Sequence, residues 1–399
     1  MSSSAPNAAS ARSRPRVLIA AGGTGGHVFP ALALADGLRQ CSPRCELLFV
    51  GSVGGLEQRL VPARGHRLEL LHSAKLRGMG LVPRLQALFT LPKVTLQATW
   101  LLRRFEPHVV VGLGGYASAP VVVAAAMLRL PVVLLEQNAV PGTVNRTLAR
   151  LARVVVVAHR EAERHLPPGK ALLLGNPIRP ELVQALERGR TVRSVGEPRS
   201  RAERSAQDVI MSDGQGPTLL VLGGSQGAHA INELMVAAAP ELVRRVADLR
   251  IVHQSGVADQ APVQAAYAAS SIPARVLPFI EEMGPALRDA TLVLGRSGAT
   301  TLAELCAAGL PALLVPYPHA ADDHQAANAR ELVQAGGAVM RRQETLDPGS
   351  LARELARLLS DSPGLERMSR AMSTCSHPDA AVQIAGMLLQ RYGPRPGAK

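Results

Sequence analysis

Two glycine-rich turns, about two hundred residues apart, each follow an apolar run of strand-forming residues. The first, Gly22–His27, comes after Val17–Ala20, and the second, Gly223–Gly227, comes after Leu219–Leu222. Glycine adopts positive φ and lets a diphosphate approach the main chain, while the amides and dipole of a following helix favour negative charge. The chain therefore repeats one strand, turn and helix device, which predicts two lobes with an anionic ligand in the cleft between them.

The length of the chain and its pattern of apolar runs predict two α/β domains. At 399 residues the chain exceeds the size at which one core stops growing. Short apolar runs alternate with helix-length segments, as in a parallel doubly wound sheet. Besides the runs that precede the glycine turns, they are Leu47–Val50, Val109–Val111, Val132–Leu135, Val154–Val157, Arg250–Val252, Ala274–Leu277, Leu292–Leu294 and Ala312–Val315.

Breaks in this alternation define the domain boundaries that we expect. The first Rossmann-like domain covers 16–187, and the second covers 217–378. Between them, 188–216 is poor in apolar residues and is interpreted as a flexible linker or insertion. A flexible basic arm (1–15) precedes the first domain, and a C-terminal helix and tail (379–399) follow the second.

The net charge of +13 predicts an anionic partner, which by charge alone is nucleic acid, an anionic membrane or a phosphorylated substrate. The N-terminal stretch is basic, but Gly22 interrupts the only apolar run that could serve as a signal peptide. The most apolar region, 120–135, contains Arg129 and Pro131 and is shorter than the roughly 20 residues of a spanning helix. We therefore expect no membrane-spanning segment.

One glycine turn alone is also typical of nicotinamide-binding domains. The second strand of such a domain usually ends in an acidic residue that binds the ribose, but here Leu48–Val50 runs into Gly51 and Ser52. No Walker A motif occurs either. A noncatalytic or oxidoreductase dinucleotide-binding protein remains an alternative that a test for bound NAD would reveal.

Further motifs accompany the two turns. In chain order they are Gly114–Pro120 (GGYASAP), Glu136–Asn138 (EQN), Gly175–Arg179 (GNPIR), Arg296–Glu304 (RSGATTLAE) and Asp322–Ala329 (DDHQAANA). Together with the glycine turns they closely resemble the MurG family, the bacterial N-acetylglucosaminyltransferases that convert lipid I to lipid II. The resemblance covers about residues 16–390, apart from the segment near 188–216.

The resemblance implies a GT-B architecture, with the acceptor on the first Rossmann-like domain and the nucleotide sugar on the second. It implies inverting transfer from UDP-N-acetylglucosamine to the muramoyl 4-hydroxyl of lipid I, for peptidoglycan synthesis. The implied location is peripheral, on the cytoplasmic face of the bacterial inner membrane. The implied partners are its anionic surface and other cell-wall synthesis proteins, without nucleic acid, cofactor or essential metal. A related transferase with a diacylglycerol acceptor and a UDP-sugar 2-epimerase remain alternatives.

The family's functional positions carry over onto matching residues of this chain. His27 is the candidate catalytic residue. The UDP-N-acetylglucosamine positions are Thr24, Gly25, Gly26, Asn138, Arg179, Ser225, Ile280, Ala299, Thr300, Thr301, Leu302, Ala303, Glu304 and Gln325. The acceptor positions are Gly23, Gly114, Gly115, Tyr116 and Ser118. In the family, the residue matching Glu304 binds the ribose and the backbone of that matching Ile280 reads uracil.

Inverting transfer requires a base for the acceptor hydroxyl and a stabiliser for the departing diphosphate. A histidine pKa near 6.5 suits His27 for the first role, although a first-turn histidine can also only cap or pack. His324 is a rival, in a polar cluster better suited to sugar hydroxyls. The chain contains no D-x-D motif to hold a metal, so the stabilisers that we expect are Arg179, the amides of 224–227 and the Ser225 hydroxyl. Ser225 can alternatively be only an N-cap, and Glu304 a solvated helix residue.

Between Lys75 and Arg104 an apolar stripe at helical spacing is surrounded by basic residues, a pattern typical of membrane-surface helices. It comprises Leu81, Val82, Leu85, Leu88 and Phe89, with Lys75, Arg77, Arg84 and Lys93 around them. We expect it to dock on the membrane, with Pro92 keeping the helical segment short. An ordinary core helix is the alternative.

Overall fold

The structure is a computed structural model that describes residues 14–71, 81–115, 117–186, 216–224 and 227–394, with the backbone only for 81–91. The predicted arm (1–15) and linker (188–216) fall almost wholly outside these ranges. Tyr116 and Ser225 lie outside them as well.

The first lobe is a parallel sheet with helices on both faces. Its strands are β1 (Arg16–Ala20), β2 (Glu46–Ser52), β3 (Arg67–Leu71), β4 (Val109–Gly112), β5 (Val132–Glu136), β6 (Val154–Val157) and β7 (Ala171–Leu173). Its helices are α1 (Gly25–Cys41), α2 (Glu57–Ala63), α3 (Leu81–Phe105), α4 (Ser118–Met127) and α5 (Thr143–Leu148). The strand order is β3-β2-β1-β4-β5-β6-β7.

The second lobe repeats this plan. Its strands are β8 (Thr218–Leu222), β9 (Arg250–Gln254), β10 (Ala274–Leu277), β11 (Leu292–Gly295), β12 (Ala312–Leu314) and β13 (Ala338–Met340), in the order β10-β9-β8-β11-β12-β13. Its helices are α6 (described over 180–186), α7 (His229–Arg245), α8 (Gln260–Ala269), α9 (Met283–Asp289), α10 (Ala299–Ala308), α11 (His324–Ala335), α12 (Pro348–Leu359), α13 (Ser362–Thr374) and α14 (Ala380–Tyr392). The prediction of two doubly wound domains is confirmed.

Strand order explains where a ligand can bind. In each lobe the order reverses beside the first strand, between β1 and β4 and between β8 and β11. The loops that leave the carboxyl ends of two such strands run in opposite directions and open a crevice. The two glycine turns follow β1 and β8, so both lie at switch points. The predicted ligand-binding turns therefore occupy the positions at which doubly wound sheets bind ligands.

Two helices, α6 and α14, connect the lobes. Ile384, Ala385 and Leu388 of α14 are buried in the core of the first lobe. In the other direction, Leu182 and Leu186 of α6 pack in the core of the second lobe, so the chain enters that lobe before residue 187, the predicted end of the first domain. The two lobes therefore exchange one helix each.

Helix α3 corrects one prediction. We expected Pro92 to keep the helical segment short, but α3 continues through Pro92 and is 25 residues long in total. Val94, Ala98 and Leu102 beyond the proline are buried in the first-lobe core, and this tertiary packing outweighs the loss of one backbone hydrogen bond. The side chains of the predicted apolar stripe, Leu81–Phe89, are not among those that the structure describes, because only the backbone is described for 81–91. Among the described residues, no helix is long and apolar enough to span a membrane.

Candidate active site

The first glycine turn delivers a histidine to the cleft. Thr24 is the N-cap of α1 but its side chain makes no capping hydrogen bond; its Oγ1 lies 3.4 Å from Nδ1 of His27, in the first helical turn. Gly23, with a φ of 92°, provides the left-handed residue that the turn requires. Gly25 and Gly26 complete the helix start, so the predicted residues 23–27 form one unit.

The histidine ring packs against the turn after β4. A Cβ on Gly114 would lie 3.3 Å from Nε2 of His27, and a Cβ on Gly115 would lie 2.9 Å from the Gly22 carbonyl oxygen. Both glycines have positive φ, which disfavours a side chain at each, and at Gly115 the close carbonyl oxygen excludes a Cβ as well. The predicted acceptor turn and the predicted base are therefore in direct contact.

Burial lowers the pKa of His27, while Glu136, a hydrogen bond with the Gly22 backbone and Glu57 act to raise it, and His324 acts to lower it. A lowered pKa keeps the imidazole neutral at pH 7, the form that a general base requires. The rival, His324, is on α11 of the second lobe and is close enough to His27 to act on its pKa. The His324 Nδ1 lies 2.7 Å from the Ala321 carbonyl oxygen, to which it donates.

Ser118, a predicted acceptor residue, is fully buried, and its hydroxyl donates to the Gly115 carbonyl at 3.0 Å. This hydrogen bond holds the turn after β4 in shape. The Ser118 hydroxyl is therefore engaged inside the first lobe rather than presented to the cleft.

Glu136 orders the loop that carries Asn138. Its carboxyl oxygens accept hydrogen bonds from the Asn138 and Gly142 amides and from the side chains of Asn138 and Asn145, at 2.9–3.2 Å. The Asn138 Oδ1 accepts from Asn328 of the second lobe at 3.1 Å. The sequence singled out the Glu136 motif but not this organising role.

Asn328 joins the two lobes at the cleft. It is fully buried, its Oδ1 accepts from the Ala139 amide at 2.7 Å, and its Nδ2 also donates to the Ser297 carbonyl at 3.3 Å. One turn further along α11, Glu331 Oε2 lies 2.6 Å from His159 Nδ1 of the first lobe. Helix α11 therefore holds the loop after β5 close to the start of α10.

The start of α10 carries unpaired polar groups. Gly298 is its N-cap, and the buried hydroxyls of Ser297 and Thr300 have no hydrogen-bond partner within the described structure. The amides of 298–301 have no partners within the helix, whereas the Leu302 amide already donates to Gly298. Leu302 also packs in the core. Of the predicted segment 299–304, the first turn is thus the part able to bind an anion.

Arg179 and Glu304 form a buried ion pair. Nη2 of Arg179 lies 3.0 Å from Oε1 of Glu304, and the guanidinium lies 5.2 Å from the Phe29 ring centroid. Nε of Arg179 has no hydrogen-bond partner among the residues that the structure describes. Burial raises the pKa of Glu304, and Arg179 opposes this effect. The alternative that Glu304 is a solvated helix residue is wrong, because Glu304 is 7% exposed. The sequence did not reveal that these two predicted ligand-binding residues pair with each other.

Gln254, at the end of β9, links the second glycine turn to the predicted uracil position. Its Nε2 donates to the Gly224 carbonyl at 2.9 Å and its Oε1 accepts from the Ile280 amide at 3.2 Å. Ile280 itself is buried. No motif indicated Gln254, whose partners lie 26 and 30 residues away along the chain.

The polar cluster before α11 is held by hydrogen bonds of its own. Gln325 accepts from the Tyr317 amide at 3.0 Å, and Asp323 forms a bidentate pair with Arg342 at 2.6 and 2.8 Å. Among the residues that the structure describes, no three acidic, histidine or cysteine side chains are grouped as metal ligands.

Comparison with known proteins agrees with this arrangement. Residues 17–157 match the glycosyltransferase family 28 N-terminal domain and 218–384 match the C-terminal domain of that family. The UDP-N-acetylglucosamine–N-acetylmuramyl-(pentapeptide) pyrophosphoryl-undecaprenol N-acetylglucosamine transferase of Anaeromyxobacter dehalogenans (strain 2CP-C) is 42% identical over 94% of this chain and 92% of its own length. The Myxococcus xanthus protein of the same name is 41% identical over 95% and 94%.

Solved structures agree as well. The crystal structure of Acinetobacter baumannii MurG superposes with a TM-score of 0.71 at 30% identity, covering 94% of this chain and 99% of that one. A putative UDP-N-acetylglucosamine 2-epimerase from Listeria monocytogenes superposes at 0.68 with 16% identity, covering 96% and 99%, which shows a common fold alone. The chain belongs to the MurG family of N-acetylglucosamine transferases, built from the two domains of glycosyltransferase family 28 in a GT-B architecture.

Proposed function

We propose that this chain transfers N-acetylglucosamine from UDP-N-acetylglucosamine to the 4-hydroxyl of the muramoyl sugar of lipid I, with inversion. One observation carries the proposal: a half-buried histidine with a lowered pKa lies in the first turn of α1, and α1 contacts α10 of the second lobe, whose start carries unpaired donors. The near full-length similarity to transferases named for this reaction supports the choice of substrates.

The donor binds in the second lobe. The free amides and hydroxyls at the start of α10, with the second glycine turn and Ser225, receive the diphosphate, and Arg179 adds a positive charge. Glu304 accepts hydrogen bonds from the ribose hydroxyls. The Ile280 backbone binds uracil after the hydrogen bond from the Ile280 amide to Gln254 Oε1 is broken. Asn138 and Gln325 bind the sugar.

The acceptor diphosphate binds at the first glycine turn and the turn at Gly114. His27 takes the proton from the acceptor 4-hydroxyl, whose oxygen forms a bond to C1 of N-acetylglucosamine on the face opposite to UDP. The bond from C1 to the diphosphate oxygen breaks, and its electron pair leaves with UDP. The negative charge develops at the α10 start and Arg179, which is our reason for proposing that no metal is essential.

The membrane surface is a second partner. On α3, one helical turn apart, Leu96 and Trp100 are 71% and 61% exposed, and the Arg104 guanidinium lies 5.3 Å from the Trp100 ring centroid. Met127, at the end of the neighbouring α4, is 71% exposed. An apolar patch with a basic rim fits peripheral docking on the cytoplasmic face of the inner membrane, beside other cell-wall synthesis proteins.

A label-transfer assay tests the reaction. The purified protein is mixed with radiolabelled UDP-N-acetylglucosamine and either a lipid I analogue or diacylglycerol. We expect label in the lipid I analogue alone. Label in diacylglycerol would favour the related lipid transferase, and conversion of the donor to its 2-epimer would favour the epimerase.

Vesicle binding tests the docking surface. Burying one Leu or aromatic side chain contributes roughly 1.5 to 3 kcal/mol and each nearby Lys or Arg about 1 kcal/mol on an anionic surface. We expect Leu96→Glu with Trp100→Glu to abolish binding to phosphatidylglycerol or cardiolipin vesicles and to spare turnover of a soluble acceptor. Val257→Glu is the matched control, because Val257 is 83% exposed in the second lobe. Leu85→Glu with Phe89→Glu tests the predicted stripe in the same way, and undiminished binding by both pairs would place docking elsewhere.

A further inference from the structure

Glu57, the first residue of α2, is a carboxyl group without a role in the reaction described above. It is 1% exposed, and both its oxygens accept hydrogen bonds. Oε2 accepts from the Gly23 amide at 3.0 Å, and Oε1 accepts from the Ser52 amide at 2.7 Å and the Ser52 hydroxyl at 3.1 Å. A buried carboxyl group is tolerated only when such partners replace water.

The chain provides space for this carboxyl group at three glycines. A Cβ on Gly22 would lie 2.5 Å from Glu57 Oε1, and a Cβ on Gly51 or Gly55 would collide with the same side chain. Gly22 belongs to the first glycine turn, while the other two flank Ser52. Glu57 therefore fixes the first glycine turn to the end of β2.

One peptide unit connects Glu57 to His27. The Gly23 N–H and the Gly22 carbonyl belong to the same trans peptide, so they point in opposite directions. The N–H points at Glu57. The carbonyl lies on the side of the histidine, because a Cβ on Gly115 would be 2.9 Å from that oxygen and 3.5 Å from His27 Nδ1. The Gly22 backbone also acts to raise the pKa of His27, which is the effect expected of a carbonyl that accepts a ring proton.

We propose that Glu57 is a positioning residue for His27: it orients the Gly22–Gly23 peptide so that the Gly22 carbonyl accepts the Nδ1 proton and Nε2 stays free to take the proton of the acceptor hydroxyl. The hydrogen bond made by one ring nitrogen sets which nitrogen carries the proton. This proposal rests on the proposed function, in which His27 is the base.

Charged and titratable groups around His27 come from three other elements. Glu57 on α2 and Glu136 on β5 raise its pKa, and His324 on α11 lowers it. The Glu136 oxygens are engaged by the loop at 138–145, so Glu136 acts on the ring by charge. Among these groups Glu57 alone is hydrogen-bonded to the Gly22–Gly23 peptide.

Histidine NMR with ¹⁵N-labelled protein tests the proposal without turnover, and His27→Ala identifies the His27 signals. We expect the parent to carry its proton on Nδ1. Glu57→Gln places an NH₂ group against the Gly23 N–H, so we expect a mixture of tautomers and a lower His27 pKa, because a negative charge has been removed. Glu57→Asp keeps the charge but withdraws the carboxyl group, so the tautomers should mix with less change in pKa. Glu46→Gln, an exposed glutamate at the start of β2, is the matched control.

Kinetics separate positioning from a structural role. We expect Glu57→Gln to lower kcat about 10- to 100-fold, the range for residues that orient a functional histidine. The KM for UDP-N-acetylglucosamine should hardly change, and the double variant with His27→Ala should be no slower than His27→Ala alone, because the two residues act as one unit. If Glu57→Gln does not fold, Ser52→Ala removes one of the three donors and should change the tautomers in the same direction.

An unchanged His27 tautomer and pKa in folded Glu57→Gln, or an unchanged tautomer in Ser52→Ala and Glu57→Asp, would overturn the proposal. Failure of the proposed function looks different. In that case His27→Ala keeps full turnover, while the NMR comparison still decides whether Glu57 orients the ring.

Discussion

The first glycine turn and the start of α10 lie on opposite lobes, and their polar groups are in opposite states. At the first glycine turn the Gly23 amide donates to Glu57, and nearby the Ser118 hydroxyl donates to Gly115, both within the first lobe. In the second lobe, the hydroxyls of Ser297 and Thr300 are buried without described partners. An unpaired buried hydroxyl costs about 1–3 kcal/mol. The first-lobe side of the cleft is thus ordered in advance, whereas we expect the second-lobe side, the proposed donor site, to gain hydrogen bonds when a ligand binds.

The largest effect should come from the base. His27→Ala should lower kcat by about a hundredfold or more, because proton transfer by a placed side chain contributes that much. UDP affinity, measured by calorimetry, should stay nearly the same. His229→Ala is a matched control, since His229 also occupies the first turn of the helix after a glycine turn but is exposed. A variant that mainly loses UDP affinity would remove His27 from the role of base.

The next effect concerns the ion pair on the donor side. Glu304→Ala should weaken UDP-sugar binding by about 1.5 to 3 kcal/mol, as for hydrogen bonds to a charged group. The substitution also frees Arg179 from its ion pair with Glu304, so that Arg179 can bind the diphosphate of UDP. Because uridine has no diphosphate, the affinity for uridine should fall more than the affinity for UDP. Calorimetry with both ligands checks this, with the exposed Glu281→Ala as control. Equal affinity of variant and parent for UDP and for uridine would exclude Glu304 from the site.

Two hydroxyl deletions should give opposite results. Thr300→Val should leave thermal stability unreduced and weaken UDP binding by about 0.5–1.5 kcal/mol, the usual value of one hydrogen bond. Ser118→Ala should cost stability of similar size and leave UDP affinity unchanged, because its hydroxyl is already bonded to Gly115. The same pattern in both variants would contradict the contrast between the lobes.

The pH dependence of turnover tests the state of His27 in the first lobe. Burial lowers the pKa of His27, and the base works when deprotonated. Activity should therefore be lost on the acid side only below the ordinary histidine pKa of about 6.5. A pH profile of kcat/KM measures this limb. If the acid-side loss of activity had an apparent pKa above that of an ordinary histidine, or if it persisted in His27→Ala, it would belong to the titration of another group.

The smallest expected effect is that of metal removal. Arg179 and the α10 amides are proposed to balance the diphosphate charge, so excess EDTA should leave turnover of a soluble lipid I analogue largely intact. Complete loss that magnesium or manganese restores would point to a metal site, for which Asp322 and Asp323 are the first residues to test.

The sequence predicted the features that depend on neighbouring residues. Apolar runs located the central strands, and the glycine turns located the switch points. Short edge strands such as β7 and β13, with three residues each, carry too little pattern to predict. The prediction that Pro92 shortens the helix was wrong. Local geometry disfavours proline inside a helix, but burial of the residues beyond Pro92 stabilises the continued helix.

Contacts between distant parts of the chain escaped prediction. Glu57 lies 34 residues from Gly23, and Asn328 lies 189 residues from Ala139. Gly22, Gly51 and Gly55 leave space for the Glu57 side chain only in the folded protein, where they lie next to it. Motif resemblance placed Arg179 and Glu304 near the donor, but their pairing with each other follows from the burial of both.

Amide hydrogen exchange with and without UDP tests the contrast between the first glycine turn and the α10 start most directly. In the free protein, the amides of Gly23, His27 and Val28 should be protected and those at 298–301 should exchange rapidly, because the former have partners and the latter lack them within their helix. UDP should slow exchange at 298–301 and leave the amides of Gly23, His27 and Val28 unchanged. Protection of 298–301 before UDP is added, or an equal response of both segments, would contradict the account.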